Sequence, residues 1–450
     1  MSLKNETALK RSLSLLPLVV IGLAYMDPLV VFDSYGVVAQ MTKEHVPAAY
    51  IFTVAALLLT ALSYGKMAKA YPKAGSAYTY AFESIHPRAG FIAGWTIMLD
   101  YLFLPMVNFA IGSAYLSAVF PEVPHGFWVI LLASAITAVN ILGIKLTASI
   151  TALFVTFQVI VALTFAGFMI AGLSNGLGSG ELVSAAPFYQ PDMEPSLIVS
   201  GATILCFSFL GFDAISTMSE ETIQPKKNIP LAIFLTVAIG GMLFTAISYF
   251  MQQVYPHYES FRHADSASLE IAYYAGGAFL RSFFLAGTMV AVISSSLSSH
   301  ASASRLLYAM GRDSSLPKRF FGYIHPTLKT PVFNVVFIGL ISLTAMIGEL
   351  EVIYSFISFG ALIGFIFVHL SVIAHYYIRR RQKGVLDTLR YLILPFLGAA
   401  FCGWLLLSIS KNALIIGAVW LIAGFLYFWF RVRSLPDITF GFDRDYHQKR

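Results

Sequence analysis

The chain has 450 residues, of which 58% are hydrophobic and only 12% charged. An ordinary soluble domain carries about 25% charged residues, whereas the mean hydropathy here is +0.75. So few polar side chains cannot coat a water-soluble surface, and the apolar runs recur from end to end. A soluble enzyme, a nucleic-acid binder and a disordered scaffold are excluded as whole-chain readings. The composition instead specifies an all-α polytopic membrane protein.

A helix crossing the hydrocarbon core needs about 20 largely apolar residues, and about twelve runs meet that length. In chain order they centre near Leu23, Ala56, Pro105, Ala135, Val161, Phe207, Ala238, Val290, Phe337, Gly364, Ala400 and Val419. The third, sixth and eighth are long enough to tilt or break. The first is expected to persist as a span, because Pro28 and Asp33 interrupt it where a cleavable leader needs small residues. Lys and Arg concentrate on the cytoplasmic side of membrane proteins. With the N-terminus inside, only Lys43, Arg262, Arg281 and Lys411 of the 29 basic residues fall on outer segments. The net charge of +6 therefore reports orientation, and both termini are expected in the cytoplasm.

The outer connections carry turn chemistry, with Asn175–Gly180 rich in glycine and Pro191 and Pro195 bracketing an extended stretch. Tyr255–Tyr274 has room for one short amphipathic piece. Cys206 and Cys402 lie inside apolar runs, so no disulfide framework is expected.

Ionisable residues inside spans cost about 2.5–3.5 kcal/mol at a helix centre, which makes them functional candidates. The deep ones are Asp27 and Asp33 in span 1, Asp100 in span 3 and Asp213 in span 6. All are acidic, and a carboxylate-lined path favours cations. Asp33 fits either that path or the outer water boundary, and Asp100 either a ligand contact or a helix cap. Glu220 and Glu221, at the inner end of span 6, are candidate gate residues for ion pairs with Lys66 or Arg305. His300 and the Ser294–Ser299 cluster read as packing.

Two of the deep acids stand at helix breaks. Span 1 runs Gly22-Leu-Ala-Tyr-Met-Asp-Pro28, and its proline removes a backbone donor and disfavours helix just before it. Span 6 runs Phe207-Ser-Phe-Leu-Gly-Phe-Asp213, with glycine at the matching depth. Paired breaks in corresponding halves point to a transporter's midplane site. Their separation leaves room for five spans per repeat. The expected division is a tail over 1–12, repeats over 13–173 and 198–378, two accessory helices over 390–432, and a tail over 433–450. There is no His-Glu-x-x-His, Cys-x-x-Cys or Gly-x-x-x-x-Gly-Lys sequence. Accordingly no metal, cofactor or ATP drive is expected, and secondary transport is.

The first inner loop, Tyr71-Pro-Lys-Ala-Gly-Ser-Ala-Tyr-Thr-Tyr80, resembles a signature of the amino acid–polyamine–organocation superfamily. The later loop Ser304-Arg-Leu-Leu-Tyr-Ala-Met-Gly-Arg-Asp313, followed by Leu316-Pro317, matches a second. This resemblance spans almost the whole chain and implies the five-plus-five inverted repeat of leucine-transporter-like proteins. Gly22–Tyr25, Asp33, Leu99–Leu102, Gly201–Asp213, Ser219–Thr222, Ser298–Ala301 and Phe359–Leu362 are similar to the bacterial putrescine importer subgroup. Asp27 departs from that subgroup, where an uncharged polar residue is expected.

Amino acid carriers of the superfamily hold the substrate carboxylate on a Gly-Ser-Gly break in span 1. Here Gly22-Leu-Ala24 keeps a single glycine for close approach, and Asp27 would repel a carboxylate. Aromatic faces at Tyr25, Tyr101, Phe207, Phe209 and Phe212 suit an ammonium instead. The candidate substrate contacts are therefore Gly22, Ala24, Tyr25, Asp27, Asp33, Asp100, Tyr101, Phe207, Ser208, Phe209 and Gly211. The resemblance also implies that Phe207 closes over the substrate and that Asp213 carries the coupled proton. The implied function is proton-linked import of putrescine or a related polyamine across a bacterial cytoplasmic membrane. An amino acid permease or an amine exchanger of the same superfamily is the alternative. The expected partners are that small molecule, protons and the lipid bilayer, with no nucleic acid; the sequence leaves the oligomeric state open. A channel would show no saturation, and a membrane-embedded enzyme would consume its ligand.

Overall fold

The computed structural model describes residues 13–73, 75–142, 145–191, 193–219, 222–312, 316–328, 330–347 and 350–433. The first half supplies α1 (Leu15–Met26), α2 (Val30–Thr42), α3 (Val46–Ala70), α4 (Ser76–Ser84), α5 (Pro87–Val119), α6 (His125–Leu142) and α7 (Lys145–Ser174). Next, α8 (Pro195–Leu205) gives way to two 3₁₀ segments, Cys206–Phe209 and Phe212–Met218. The second half continues with α9 (Pro225–Val254), α10 (Ala267–Arg312), α11 (Lys318–Phe321), α12 (Val332–Ser342) and α13 (Leu350–Val372). Last come α14 (Val385–Thr388), α15 (Leu394–Leu407) and α16 (Lys411–Arg433).

Among the described residues, ten helical stretches are long and apolar enough to cross a membrane, and α1 with α2, bent by 42°, makes an eleventh. The ninth expected run is the shorter apolar stretch Val332–Met346, below the length of about 20 residues that a full span needs. Every expected centre thus falls on a helix. Of the three long runs, α5 stays continuous over 33 residues despite Pro105. The sixth is interrupted, and α10 departs from helical geometry at Gly277, with φ 62° and ψ −156°. Tyr255–Tyr274 holds two single 3₁₀ turns before α10 begins.

Packing between helices shows the repeat. Exchanging α1 with α8, α3 with α9, α5 with α10, α6 with α12 and α7 with α13 maps one set of neighbours onto the other. Thus α5 on α13 recurs as α10 on α7, α1 on α9 as α8 on α3, and α3 on α13 as α9 on α7. Each unit has five matched elements, with α12 the short one of the second unit, and an odd number sets the two units in opposite senses, as in inverted-repeat transporters.

The accessory helices dock through specific contacts. At Gly398 of α15, an added Cβ would collide with the His369 ring of α13. His369 sits there between the Ser63 hydroxyl at 2.9 Å and the Thr60 hydroxyl at 3.2 Å, both from α3. On α16, the Trp420 indole N–H donates to the Trp95 carbonyl, and the Trp95 indole returns the bond to the Trp420 carbonyl, each at 2.9 Å. Their rings stack with centroids 5.1 Å apart. An aromatic pair is worth roughly 0.5–1.5 kcal/mol beyond its burial and a hydrogen bond about 1 kcal/mol. Trp95→Ala should therefore lower stability by on the order of 2 kcal/mol, read as an earlier thermal unfolding transition in detergent. Trp95→Phe, which keeps a ring but loses the donor, should lose less.

Candidate functional site

The first break is made by Asp27 and Pro28. Asp27 ends α1 with φ 61° and ψ 109°, a region where short polar side chains are enriched because they bond their own backbone. Its Oδ1 accepts from the Leu29 N–H at 2.8 Å, and the Asp27 carbonyl accepts from Val30 N–H at 3.1 Å. The carboxylate therefore closes a tight turn across the break, just ahead of α2. The sequence expectation placed Asp27 against substrate; one of its oxygens is occupied by the backbone turn.

The second break centres on Gly211, with φ 105°. A Cβ there would drive into the Tyr25 ring, so the glycine is required both for the turn and for Tyr25 to lie against it. Tyr25 stands two residues before Asp27, and Gly211 two residues before Asp213. The two interrupted spans thus meet, ring on backbone, with an acid on each side of the contact.

Asp213 is the hub of a hydrogen-bonded cluster. Its Oδ2 accepts from the Ser76 hydroxyl at 3.1 Å and from the Tyr101 hydroxyl at 3.2 Å. Ser76 also lies 3.3 Å from the Tyr64 hydroxyl. Oδ1 is buried with no hydrogen-bond partner. Aromatic rings wall the cluster, Tyr64 against Tyr80 at 5.9 Å, against Phe212 at 5.5 Å and against Phe365 at 6.0 Å. Asp100 adjoins Tyr101 on α5, where Gly360 of α13 brings its backbone against Thr96 and Leu99.

A second group lies around Asp33 in the first turn of α2. Its Oδ1 is buried without a partner. The Phe32 carbonyl beside it accepts from Ser268 at 2.6 Å and Tyr115 at 3.4 Å. Phe207 covers Tyr354, with ring centroids 4.6 Å apart and planes tilted by 30°, and the Tyr354 hydroxyl is buried without a partner.

Asp27, Asp33, Asp100 and Asp213 are 6%, 5%, 2% and 0% exposed. Among the described residues none of them pairs with Lys, Arg or His. Two ion pairs, Lys43–Glu194 and Lys73–Glu83, lie at exposed or half-buried positions away from these acids. A buried ion left unpaired carries a penalty of several kcal/mol. This set of acids calls for neutralisation by protons or by a cation brought in from solution.

Other expected contacts have structural neighbours. A Cβ on Gly22 would meet Ile215 and Thr236, which makes it a close crossing between α1 and α9. Ala24 is buried in the same helix. Ser208 bonds the Tyr50 hydroxyl at 3.2 Å. Phe209 packs edge-on against Phe244 and Tyr50, on the α3–α9 side. Glu220 and Glu221 fall outside the described residues. Lys66, considered as their partner, donates to the Arg390 carbonyl. His300 is buried and meets the Val335 carbonyl at 2.8 Å, as a packing residue does. Sequence reasoning missed Ser76, Tyr64 and Tyr354. Ser76 stood inside the first-loop signature, and its position directly after Gly75 gave no sign that it reaches span 6.

These features agree with what the chain resembles. The solved structure titled "Crystal structure of MhsT in complex with L-phenylalanine" superposes with a TM-score of 0.62 over 89% of this chain and 99% of that one. At 14% identity that likeness establishes the fold, a leucine-transporter-like inverted repeat. The low-affinity putrescine importer PlaP of Escherichia coli (strain K12) is 42% identical over 424 residues, 94% of each chain. The branched-chain amino acid permease BcaP of Bacillus subtilis (strain 168) is 24% identical and covers 96% of this chain and 95% of its own. The family profile described as amino acid permease matches residues 18–436. This chain is a multi-pass membrane transporter belonging to the amino acid permease family.

Proposed function

We propose that the protein imports a small organic amine, putrescine or a related polyamine, by proton-linked alternating access. One observation carries this reading: four buried carboxylates, none with a basic partner among the described residues, lie on the two broken spans or on α5 beside them. A zwitterionic amino acid brings a carboxylate that these acids repel, whereas a diamine brings two cations and an alkyl middle suited to Tyr25, Tyr101 and Phe207. The name of the Escherichia coli relative supports the same substrate class.

In this reading the amine enters from outside past Asp33, is held between Asp27, Asp100 and Tyr101, and is covered by Phe207 on Tyr354. Asp213 exchanges the coupled proton, with its unpartnered Oδ1 as the acceptor. The tails over 1–12 and 433–450 lie in the cytoplasm of a bacterial cell. The two repeats, over 13–173 and 198–378, rock about the shared site while the helices over 390–432 stay at the periphery. No catalytic step is assigned to any residue. Amino acid uptake is the second reading, favoured by the branched-chain permease relative.

Proteoliposomes holding the purified protein should accumulate radiolabelled putrescine saturably. Agmatine, spermidine and ornithine should compete more strongly than neutral amino acids; preferential uptake of a neutral amino acid would establish the second reading instead. Asp213→Asn keeps the shape of the side chain but cannot gain or lose a proton. It should assemble normally and lose the dependence of uptake on an imposed pH gradient by tenfold or more, and retention of that dependence would remove Asp213 from coupling.

A further inference from the structure

The first-loop signature contains two consecutive residues in left-handed backbone, Gly75 with φ 126° and Ser76 with φ 50°. The first is glycine and adopts this at little penalty, whereas the second is serine, for which the region is strained. Strain of this kind persists only where surrounding contacts hold it. The contacts that hold it include the two made by the Ser76 hydroxyl, to Asp213 Oδ2 at 3.1 Å and to the Tyr64 hydroxyl at 3.3 Å. Ser76 is also the first residue of α4, a helix that packs on α5, on α13 and on the Phe212–Met218 segment. The backbone of the loop is therefore bent out of its ordinary range to place one hydroxyl on one carboxylate, and α4 begins at that point.

We propose that Ser76 is a latch: its bond to ionised Asp213 keeps α4 docked across the inner end of the pathway, and protonation of Asp213 releases it. This rests on the reading of Asp213 as the coupling acid. A hydrogen bond to an ionised carboxylate is roughly twice as strong as one between neutral groups. Protonation at the unpartnered Oδ1 leaves Oδ2 in place but removes its charge, so the bond weakens without any steric change. The strained turn at Gly75 and Ser76 then favours undocking. The titratable groups facing Asp213 are Tyr25 from α1, Tyr64 from α3, Tyr80 from α4, and Asp100 and Tyr101 from α5. From α13, Phe365 is apolar, so among the described residues no base competes with the latch.

Amide hydrogen exchange over Ser76–Ser84, corrected for intrinsic rates and measured without any substrate, tests this directly. In the native protein α4 protection should fall as pH is lowered. Ser76→Ala and Ser76→Gly both remove the hydroxyl, and the glycine variant also relieves the backbone. Each should lose roughly tenfold in protection, as expected for a lost bond to a charged acceptor, and become insensitive to pH. Ser76→Asn, which tolerates left-handed backbone and keeps a donor, should restore part of both. Native-like protection in Ser76→Gly, or pH sensitivity surviving in both hydroxyl-free variants, would overturn the latch. Because no amine is present, these outcomes are separate from whether putrescine is the substrate.

Discussion

Unbalanced negative charge in a water-poor interior is the constraint on which this structure turns. Four aspartates lie within the spans, all but closed to solvent, and the described residues offer them no lysine, arginine or histidine. Evolution tolerates such an arrangement at intramembrane sites where the missing charge arrives as part of the work. The fold provides for it by interrupting two helices, so that backbone groups and carboxylates face the same region without a covering turn of helix. Tyr25 lying on Gly211 joins the two interruptions, and any motion of one repeat against the other must be transmitted through that contact or around it.

The two acid groups differ in how they are held. Asp27 is committed through one oxygen to the turn it creates, and Asp33 keeps an oxygen free. Asp213, by contrast, takes two hydroxyls on one oxygen and none on the other. That asymmetry separates holding from titrating within a single carboxylate. The bonded oxygen ties together α4, α5 and the second break, while the free one is open to a proton. In the proposed mechanism, the coupling of proton movement to a change in shape draws on both properties at one place.

Much of this was legible in the chain itself. Pro28 and Gly211 act locally, through a missing donor and a missing Cβ, so the breaks could be read from the residues alone. What the chain did not reveal was tertiary. The chain marks Gly22 for close approach, and only the fold shows that it lies at the crossing of α1 with α9. It marks Phe209 as an aromatic face, and only the fold shows its packing with Phe244 and Tyr50. Ser76 was visible only as part of a signature, because its partner lies 137 residues further on. Short apolar pattern gave the position of the ninth helix but not that it falls below full spanning length.

The most direct measurement is calorimetric titration of the purified transporter in detergent with putrescine and, separately, with L-leucine, at low and at high salt. Acids lacking a counter-charge should bind the diamine saturably while leucine gives no comparable heat, and binding in so buried a site should weaken only modestly with salt. Leucine binding as tight as putrescine, or tighter, would contradict the account.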